Sequence, residues 1–516
     1  IAALLASAGI KTLLLDIVPP EIEEETDKIP ELKNKIVKAG LDAVLKAKPP
    51  LIMHPKDAEL ISIGNLEDDF EKIADCEWII EVVVENLKIK QDLLKRIENV
   101  RSPEAIVSTN TSGLPLRTLC EGRTQEFKKH FIGTHFFNPV RYMHLLEIIP
   151  GDKSTDEIVQ FITCLGERKL GKGVVLAKDS PNFIANRIGV QQIVMAMQLM
   201  QSEGLDIAEV DSLFGPVLGR PKTALFKTCD LVGLDTLAHV AENTYDLIPH
   251  DEQRETFKIP EFVLRMIQAN LLGKKTGAGF YKTEFTDGHK TRKVINPETM
   301  EYEIPKEPDF ACLSEAKAAG SLPEKINAVI YGTDAGARFA WKVIASGLIY
   351  AANRLFEVAD TIVDIDNAMK WGYNFELGPF ETWDVIGLQK SVEKMTAEGF
   401  DIPQKIKTML IKGIVNFYKT EEGKRYFYDF ADEKYKEIDV SESVIFLKDL
   451  KTGGKTVKSC RSASLVDLGD GVFCCEFHTK MNAVNREIVE FMDESLSYVD
   501  RSEEHTSELQ SLLIIS

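Results

Sequence analysis

The sequence predicts a doubly wound α/β domain followed by helical domains. Short apolar stretches bounded by polar residues alternate with helical stretches up to about residue 180, which is the pattern of a parallel sheet covered by helices. Long helical periods replace this alternation from Ser180 onward. Short alternating strand-like runs with Gly-Gly and Gly-Asp-Gly turns begin near Tyr428. We therefore expect an α/β start, an all-helical middle and a β-rich end.

The composition of the 516 residues limits the classes of function. The chain has 62 basic and 81 acidic residues and a net charge of −19, which argues against a general nucleic-acid binder because such proteins need a basic surface. No run approaches the roughly 20 apolar residues of a membrane helix. Eight cysteines without zinc-like spacing fit a reducing compartment. We expect a cytoplasmic, bacterial-type protein with no metal site, no nucleic-acid partner and no membrane span.

The α/β region begins with a helix and a buried strand. Four apolar residues have helical spacing: Ile1, Leu4, Leu5 and Ala8. The apolar run 11–16 follows and predicts a strand. Because the first residues resemble a helix interior without a preceding strand, we expect a fragment that is truncated before Ile1. The further elements predicted here are strands at 57–63, 78–84, 105–108 and 131–136 and helices at about 20–48 and 86–100.

The helical region contains an internal echo. Ala185-Asn-Arg-Ile188 and Asp230-Leu-Val-Gly-Leu234 are matched by Ala352-Asn-Arg-Leu355 and Asp384-Val-Ile-Gly-Leu388. We interpret the echo as two copies of one helical module; chance similarity of two helix starts is the alternative. The predicted domains are 1–179 (α/β), 180–285 (first module), 286–323 (linker), 324–425 (second module), 426–500 (β-rich) and 501–516 (tail).

Asp16 ends the first predicted strand. In a Rossmann fold, an acid at the end of the second strand binds the adenine ribose, and a glycine-rich loop lies about 20 residues upstream. That position would precede Ile1, and no other glycine cluster has the required spacing and context. Taken alone, Asp16 is better explained as a polar strand terminator.

A histidine and an acid twelve residues apart form the strongest candidate for catalysis. His135 ends a strand, and Asn138-Pro139 then forces a turn. Glu147 lies inside the apolar run 145–149, where burial of an acid is costly unless the acid is paired. A His135–Glu147 pair would make a base and its orienting group. A strand-end histidine with a rim-facing acid is the alternative.

Polar residues follow several predicted strands. Glu85 and Lys90 come after the strand at 78–84, Ser112 lies in a hydroxyl-rich segment after the next strand, and Asn138 follows His135. Ligands of open α/β sheets bind at the carboxyl ends of the strands. These residues and Asp16 are therefore expected at one edge, although a polar turn also explains Ser112.

Five ordered motifs together resemble the L-3-hydroxyacyl-CoA dehydrogenase family: His135-Phe-Phe-Asn-Pro-Val140, Leu145-Leu-Glu-Ile-Ile149, Ser108-Thr-Asn-Thr-Ser112, Ser180-Pro-Asn-Phe-Ile-Ala-Asn-Arg187 and Gly273-Lys-Lys-Thr-Gly-Ala-Gly-Phe-Tyr281. The resemblance implies oxidation of a 3-hydroxyacyl-CoA by NAD in fatty-acid β-oxidation. It implies that His135 is the base, that Glu147 orients it, and that Ser112 and Asn186 hold the substrate oxygens. For NAD it points to Asp16, Glu85, Lys90, Asn138 and Lys275, and the acid at position 16 suits NAD rather than NADP.

Two resemblances concern the end of the chain. The stretch from Leu465 to Val484 looks like the start of the crotonase (enoyl-CoA hydratase) fold, which would make this a truncated part of a multifunctional enzyme. The stretch 501–516 looks like translated adapter sequence, and we expect a non-native tail. A dimer, or association with a thiolase subunit, is a further expectation. A non-catalytic or inactive fragment that binds acyl-CoA or a partner subunit is the alternative functional class.

Overall fold

The computed structural model describes residues 1–20, 30–286, 289–421, 424–439, 445–500 and 513–515. The chain divides into two compact units, 1–415 and 416–516. The first unit holds an α/β domain and the helical region. None of the helices in the described ranges is long and apolar enough to cross a bilayer.

The α/β domain alternates strands with helices, as the sequence predicts. Its strands are β1 (Thr12–Asp16), β2 (Ile61–Asn65), β3 (Trp78–Glu81), β4 (Ile106–Thr109), β5 (Phe131–Phe136), β6 (Leu145–Pro150) and β7 (Gly173–Leu176). Its helices are α1 (Ala2–Ser7), α2 (Pro30–Lys33), α3 (Lys35–Lys46), α4 (Leu87–Val100), α5 (Leu116–Leu119), α6 (Gln125–Lys129) and α7 (Asp156–Arg168).

The strands form a parallel pair, β1–β2, and a five-stranded sheet in the order β3–β4–β5–β6–β7. Strands β3, β4 and β5 are parallel, but β6 runs antiparallel to β5. Only eight residues separate β5 from β6, which is too short for the crossover that a parallel pair needs. Leu5 of α1 packs with Ile106, Ile132 and Ile148 in the core under this sheet. The predicted α/β class is thus confirmed, with one strand reversed.

Two predicted strands have different bounds. The stretch 57–63 is a 3₁₀ helix, Pro55–Leu60, before β2 begins at Ile61, because Pro55 and a capping box between His54 and Asp57 favour a helical turn. The strand predicted at 78–84 ends at Glu81, whose carboxylate accepts a hydrogen bond from the Val83 amide at 2.7 Å. The apolar run therefore leaves the sheet earlier than its composition indicates.

The helical region contains two groups of helices. The first comprises α8 (Ala185–Glu203), α9 (Ile207–Leu213), α10 (Phe226–Val232), α11 (Leu234–Leu247) and α12 (Glu261–Gln268). The second comprises α14 (Leu322–Tyr331), α15 (Ala335–Arg354), α16 (Ile362–Tyr373), α17 (Pro379–Ile386), α18 (Leu388–Ala397) and α19 (Gln404–Ile411). We call these groups the first and second helical modules.

The two modules share a buried capping device. Asp211 of α9 accepts from the Leu225 and Phe226 amides at the start of α10, at 3.0 and 2.7 Å. Asp366 of α16 accepts from the Phe380 and Glu381 amides in the first turn of α17, at 2.8 and 3.1 Å. Each carboxylate satisfies donors that a helix start leaves unpaired. Duplication of one module explains both arrangements.

One half of the predicted echo is wrong. Asn186 stands at the start of α8, whereas the matching Asn353 stands at the end of α15, so the two Ala-Asn-Arg segments are not equivalent. Their arginines instead meet: Arg187 and Arg354 both donate to Asp251. The repeated letters therefore mark a buried ionic contact between the modules.

The predicted linker 286–323 contains regular structure. Strands β8 (Tyr281–Thr286), β9 (His289–Ile295) and β10 (Tyr302–Glu303) form an antiparallel sheet, and helix α13 (Ala311–Ala318) follows. These strands were not predicted because the sequence is charged and rich in turn residues. Of the residues of β9, only Val294 and Ile295 are buried, so the strand lacks an alternating apolar pattern.

The second unit contains two antiparallel arrangements. The first comprises β11 (Tyr418–Glu421), β12 (Lys424–Asp429) and β13 (Lys434–Glu437), so strands begin before the predicted boundary at 426. The second comprises α20 (Leu447–Thr452), β14 (Thr456–Ser459), β15 (Ala463–Gly469), β16 (Val472–Phe477) and α21 (Arg486–Val499), with β17 (Leu513–Ile515) parallel to β16. Of the predicted non-native tail, 501–512 and 516 lie outside the described residues, whereas 513–515 join the sheet.

Candidate active site

His135 and Glu147 face each other across the antiparallel strands β5 and β6. His135 Nδ1 lies 2.6 Å from Glu147 Oε2, and both side chains are buried. Opposed residues on neighbouring strands point to the same face, so the strand reversal makes this contact. The ring of His135 packs against Phe137 and Phe183, with centroids 4.7 and 5.6 Å away. The apolar walls restrict the imidazole to one orientation.

Glu147 also accepts hydrogen bonds from the start of α8. Its Oε1 receives the amides of Ile184 and Ala185 at 3.1 and 2.9 Å. A carboxylate is favoured at a helix N-terminus because unpaired amides and the helix dipole are positive there. Fully buried, Glu147 is thus satisfied on both oxygens. The sequence indicated the pairing with His135 but gave no sign of this second role.

The imidazole has a defined tautomer in this arrangement. We assign the hydrogen of Nδ1 to the bond with Glu147, which leaves Nε2 as the basic nitrogen. A neutral imidazole held in this way can take a proton from a nearby hydroxyl, and the carboxylate stabilises the resulting imidazolium. The geometry is therefore that of a general base with its orienting group.

Ser112 and Asn186 lie on segments that approach each other. Asn186 is in the first turn of α8, next to the Ala185 amide that binds Glu147. Ser112 precedes Gly113, where an added Cβ would come within 2.6 Å of Asn182 Oδ1, just before α8. The loop after β4 thus meets the segment that leads into α8. Their roles toward substrate stay a prediction.

Glu85 joins the loops that follow β3 and β4. Its Oε1 accepts from Thr111 Oγ1 at 2.5 Å and from the Ser112 and Gly113 amides at 2.9 and 3.3 Å. The polar turn that the sequence left as an alternative reading of Ser112 is present, and Glu85 holds it. This arrangement fixes the edge of the sheet where a ligand would lie.

Lys90 is buried beneath this edge. Its Nζ donates to Glu81 Oε1 and Oε2 at 2.8 and 3.0 Å and to the Val83 carbonyl at 3.2 Å, and it lies 3.3 Å from Glu85 Oε2. Thr109 Oγ1 donates to Glu81 at 2.6 Å. Lys90 is 1% exposed, so the structure gives it an anchoring role, and its predicted contact with NAD stays untested. Sequence reasoning missed Glu81, although an acid in an apolar run was the signal that identified Glu147.

The carboxyl edge of the parallel strands suits a dinucleotide. Asp16 ends β1, is partly exposed, and accepts from the Ile17 amide at 2.7 Å. Asn138 is exposed after β5, and Asn110 after β4 accepts from the Phe136 amide at 2.9 Å. Asp16 thus ends β1 of the two-stranded sheet, and Asn110 and Asn138 follow β4 and β5 of the five-stranded sheet. Ribose and amide groups bind at the carboxyl ends of strands in such folds. Within the described ranges, no group of three metal-ligating side chains occurs.

Comparisons with known proteins identify the family of the chain. Residues 1–180 match the family domain described as "3-hydroxyacyl-CoA dehydrogenase, NAD binding domain", and residues 183–283 and 339–428 match its C-terminal domain. A "Probable 3-hydroxyacyl-CoA dehydrogenase" of Deinococcus radiodurans is 47% identical over 55% of this chain and 78% of its own length. The chain belongs to the 3-hydroxyacyl-CoA dehydrogenase family.

A second relative by sequence and one solved structure are also similar to this chain. A "Probable 3-hydroxyacyl-CoA dehydrogenase" of Bacillus subtilis is 44% identical over 97% of this chain, and the chain spans 64% of that protein's length. The crystal structure of 3-hydroxybutyryl-CoA dehydrogenase from Escherichia coli shares the fold, with a TM-score of 0.57, 18% identity and coverage of 80% of this chain and 95% of that chain. The cofactor of the family's N-terminal domain is NAD. The dehydrogenase C-terminal domain matches both helical modules.

The glycine-rich dehydrogenase motif 273–280 encloses Asp230. A Cβ added at Gly273 would lie 2.4 Å from the Asp230 carbonyl oxygen, and a Cβ added at Gly279 would lie 2.1 Å from Asp230 Oδ1. Asp230 accepts from the Phe280 and Tyr281 amides at 2.7 and 2.9 Å. The glycines are therefore required for packing. Lys275 pairs with Asp235 at 2.5 Å within the first module, and its contact with NAD stays a prediction.

Burial raises the pKa of Asp230 to about 6, against the lowering effect of the two backbone amides. Native Asp230 therefore binds a proton more tightly than the unfolded chain does, and its contribution to stability falls as pH rises from about 4 through 6. We expect the wild-type minus Asp230→Asn difference in unfolding free energy to decrease by about 1–3 kcal/mol over this range. Urea unfolding at several pH values measures it.

Asp235→Asn is the matched control for this prediction. Burial tends to raise the pKa of Asp235, but the bonds from Lys275 and the Thr236 amide outweigh it and lower the pKa. The wild-type minus Asp235→Asn difference should therefore increase as pH rises toward the unfolded pKa of about 4, and it should stay constant from there to about pH 6. A difference for Asp230→Asn that does not change with pH would contradict the assignment.

Proposed function

We propose that the protein oxidises L-3-hydroxyacyl-CoA to 3-ketoacyl-CoA with NAD, as a step of fatty-acid β-oxidation. The observation that carries the proposal is the buried His135–Glu147 pair, 2.6 Å apart and anchored to the start of α8. The family match supplies the substrate class. The carboxyl edge that ends in Asp16 and Asn138 suits the cofactor.

The proposed roles follow from the positions of the side chains. His135 Nε2 takes the proton of the substrate 3-hydroxyl while the C3–H bond breaks. Bound NAD supplies the acceptor for the hydride that leaves C3. Glu147 keeps the His135 ring in its basic tautomer and stabilises the positive charge that develops on it. Ser112 and Asn186 would donate hydrogen bonds to the substrate oxygens, which keeps C3 and the hydroxyl in line with His135.

The direct test is NADH oxidation that depends on acetoacetyl-CoA. We expect turnover with NADH, and none when acetoacetate without CoA replaces the thioester at the same concentration. A protein that is folded by circular dichroism but shows no turnover, while still binding acetoacetyl-CoA, would reject the catalytic proposal. Such a result would favour the non-catalytic acyl-CoA-binding alternative.

We propose that Asp16 selects NAD over NADP by accepting hydrogen bonds from the hydroxyls of the adenine ribose of NAD. Loss of a hydrogen bond to a charged group costs about 1.5–3 kcal/mol, so Asp16→Ala should raise the KM for NAD about 10- to 150-fold with little change in kcat. The preference for NAD over NADP should shrink because the repulsion of the 2′-phosphate disappears. Initial rates with both cofactors measure it. Asp42→Ala, at a half-exposed position on α3 whose ion-pair partner is Lys46, is the control.

The finer assignments for the rest of the chain remain proposals. We propose that 426–500 is the start of a crotonase-like domain, which the β15–β16 hairpin closed by Asp470 and the packing of α21 on it support. Association with a thiolase subunit or a second copy, and a cytoplasmic location, accord with this assignment. Sedimentation of the protein alone tests for a dimer, and sedimentation with a thiolase tests for a complex of the two proteins. A monomer in the first experiment, and separate protein and thiolase peaks in the second, would reject both kinds of association.

A further inference from the structure

We propose that the second helical module positions the His135–Glu147 pair, through Trp371, Gly372 and Tyr373 at the end of α16. This inference rests on the proposed function for its kinetic consequence, but its structural consequence is measurable without turnover. The three residues lie more than 220 positions after the pair in sequence. They contact the elements that hold it.

Gly372 contacts three residues that themselves adjoin the pair. A Cβ at this position would lie 2.8 Å from Leu145 Cδ2, 3.3 Å from Ala185 Cβ and 3.4 Å from Phe137 Cε1. Each of these three residues is connected to His135 or Glu147 by a shared strand, a hydrogen bond or a ring contact. Leu145 is on the strand of Glu147, the Ala185 amide donates to Glu147, and the Phe137 ring packs against His135. The backbone of α16 therefore supports the pair at three points.

Trp371 and Tyr373 extend the contact on both sides. The Trp371 ring fills the space at Gly173, where an added Cβ would come within 2.4 Å, and it lies edge-on to His144 with centroids 5.1 Å apart. The Tyr373 ring fills the space at Gly189 of α8, where an added Cβ would come within 2.2 Å. One side chain thus abuts β7 and the loop between His135 and Glu147, and the other abuts the helix whose amides bind Glu147.

At Gly372 the backbone of α16 lies against the side chains of Leu145, Ala185 and Phe137, and of these the Ala185 Cβ cannot move away by a rotamer change. Interiors are close-packed, so an extra methyl group cannot be absorbed without moving a neighbour. A displacement of α16 would therefore move Leu145, Ala185 or Phe137. Movement of these residues would in turn change the positions of the two side chains of the pair. A misplacement of about 1 Å at a catalytic group costs on the order of 10²-fold in rate. A module without reacting groups can therefore set the rate.

Gly372→Ala tests the proposal. We expect the downfield Nδ1–H resonance of His135, in protein labelled with ¹⁵N-histidine, to shift or broaden as the bond to Glu147 is disturbed. We expect kcat to fall about 10- to 100-fold while the KM for NADH stays within about two-fold, because the cofactor edge is not touched. Trp371→Leu, which leaves the helix backbone unchanged, should give smaller changes of the same kind.

Two glycine variants serve as controls. Gly336→Ala clashes with Phe310 at 2.7 Å in the same region of the chain and should lower the melting temperature without moving the His135 resonance or kcat per folded molecule. Gly40→Ala, in a helix with open space around the new methyl, should change neither. An unchanged His135 resonance in both Gly372→Ala and Trp371→Leu, or an equal shift in Gly336→Ala, overturns the proposal. Absent turnover in the wild type would instead reject the proposed function.

Discussion

His135→Gln should lower kcat for acetoacetyl-CoA reduction by about 10²–10⁴-fold, the usual contribution of a general acid or base. Glutamine keeps a polar group near Glu147 but cannot exchange the proton. The KM values should change much less, because in the proposed mechanism His135 transfers the proton and other residues, at the sheet edge, bind the cofactor. Steady-state rates, normalised to folded protein, measure the effect.

His130→Gln is the matched control. His130 precedes β5, and its ring nitrogen lies 3.0 Å from the Glu126 carbonyl, outside the pair. We expect its kcat to stay within about two-fold of the wild type, because the polar contacts of this largely buried ring are with Glu126 and Glu104 and do not include the pair. Near-normal turnover in His135→Gln with a loss in His130→Gln would reject His135 as the base.

The second large effect concerns stability. Lys90→Met leaves the Glu81 carboxylate buried without its cation, and breaking a buried ion pair in this way costs about 3–5 kcal/mol. All four tryptophans, at positions 78, 341, 371 and 383, lie within the first unit, so tryptophan fluorescence follows its unfolding alone. Urea titration should show a large fall in the unfolding midpoint.

Two variants interpret that result. Glu81→Leu combined with Lys90→Met removes both charges and should recover most of the loss, because the cost lies in the unpaired carboxylate. Lys88→Met, at a position 84% exposed beside Asp92, should change the free energy of unfolding by less than about 1 kcal/mol. If Lys90→Met alone is as stable as the wild type but has a raised KM for NAD, the result would instead support direct contact between Lys90 and the cofactor.

Part of the candidate site was predictable because a run of apolar residues in the sequence indicates which neighbouring polar side chains are buried. Glu147 in an apolar run indicated a buried, paired acid, and the short loop after His135 was a usable sign that β6 returns antiparallel. The same signal at Glu81 was available and was missed because the run 78–84 looked uniformly apolar. Local propensity also failed for β9, whose exposed charges resemble a loop.

Contacts between distant segments were not predictable. Gly372 meets Leu145 and Ala185 across about 190 to 230 positions, and no periodicity within α16 points to either strand or helix. The repeated Ala-Asn-Arg segments indicated the wrong equivalence, because the arrangement that the two modules share is the capping by Asp211 and Asp366. Packing between modules depends on shape in three dimensions, which a single sequence does not display.

The proposed reaction transfers a hydride from C3 of an acyl-CoA, with His135 as the base. The most direct test supplies 3-hydroxybutyryl-CoA deuterated at C3, with NAD, and measures deuterium in the nicotinamide product by mass spectrometry. We predict one deuterium per NADH formed, and almost none formed by His135→Gln in the same time. NADH without deuterium, or equal deuterium transfer by wild type and His135→Gln, would contradict the account.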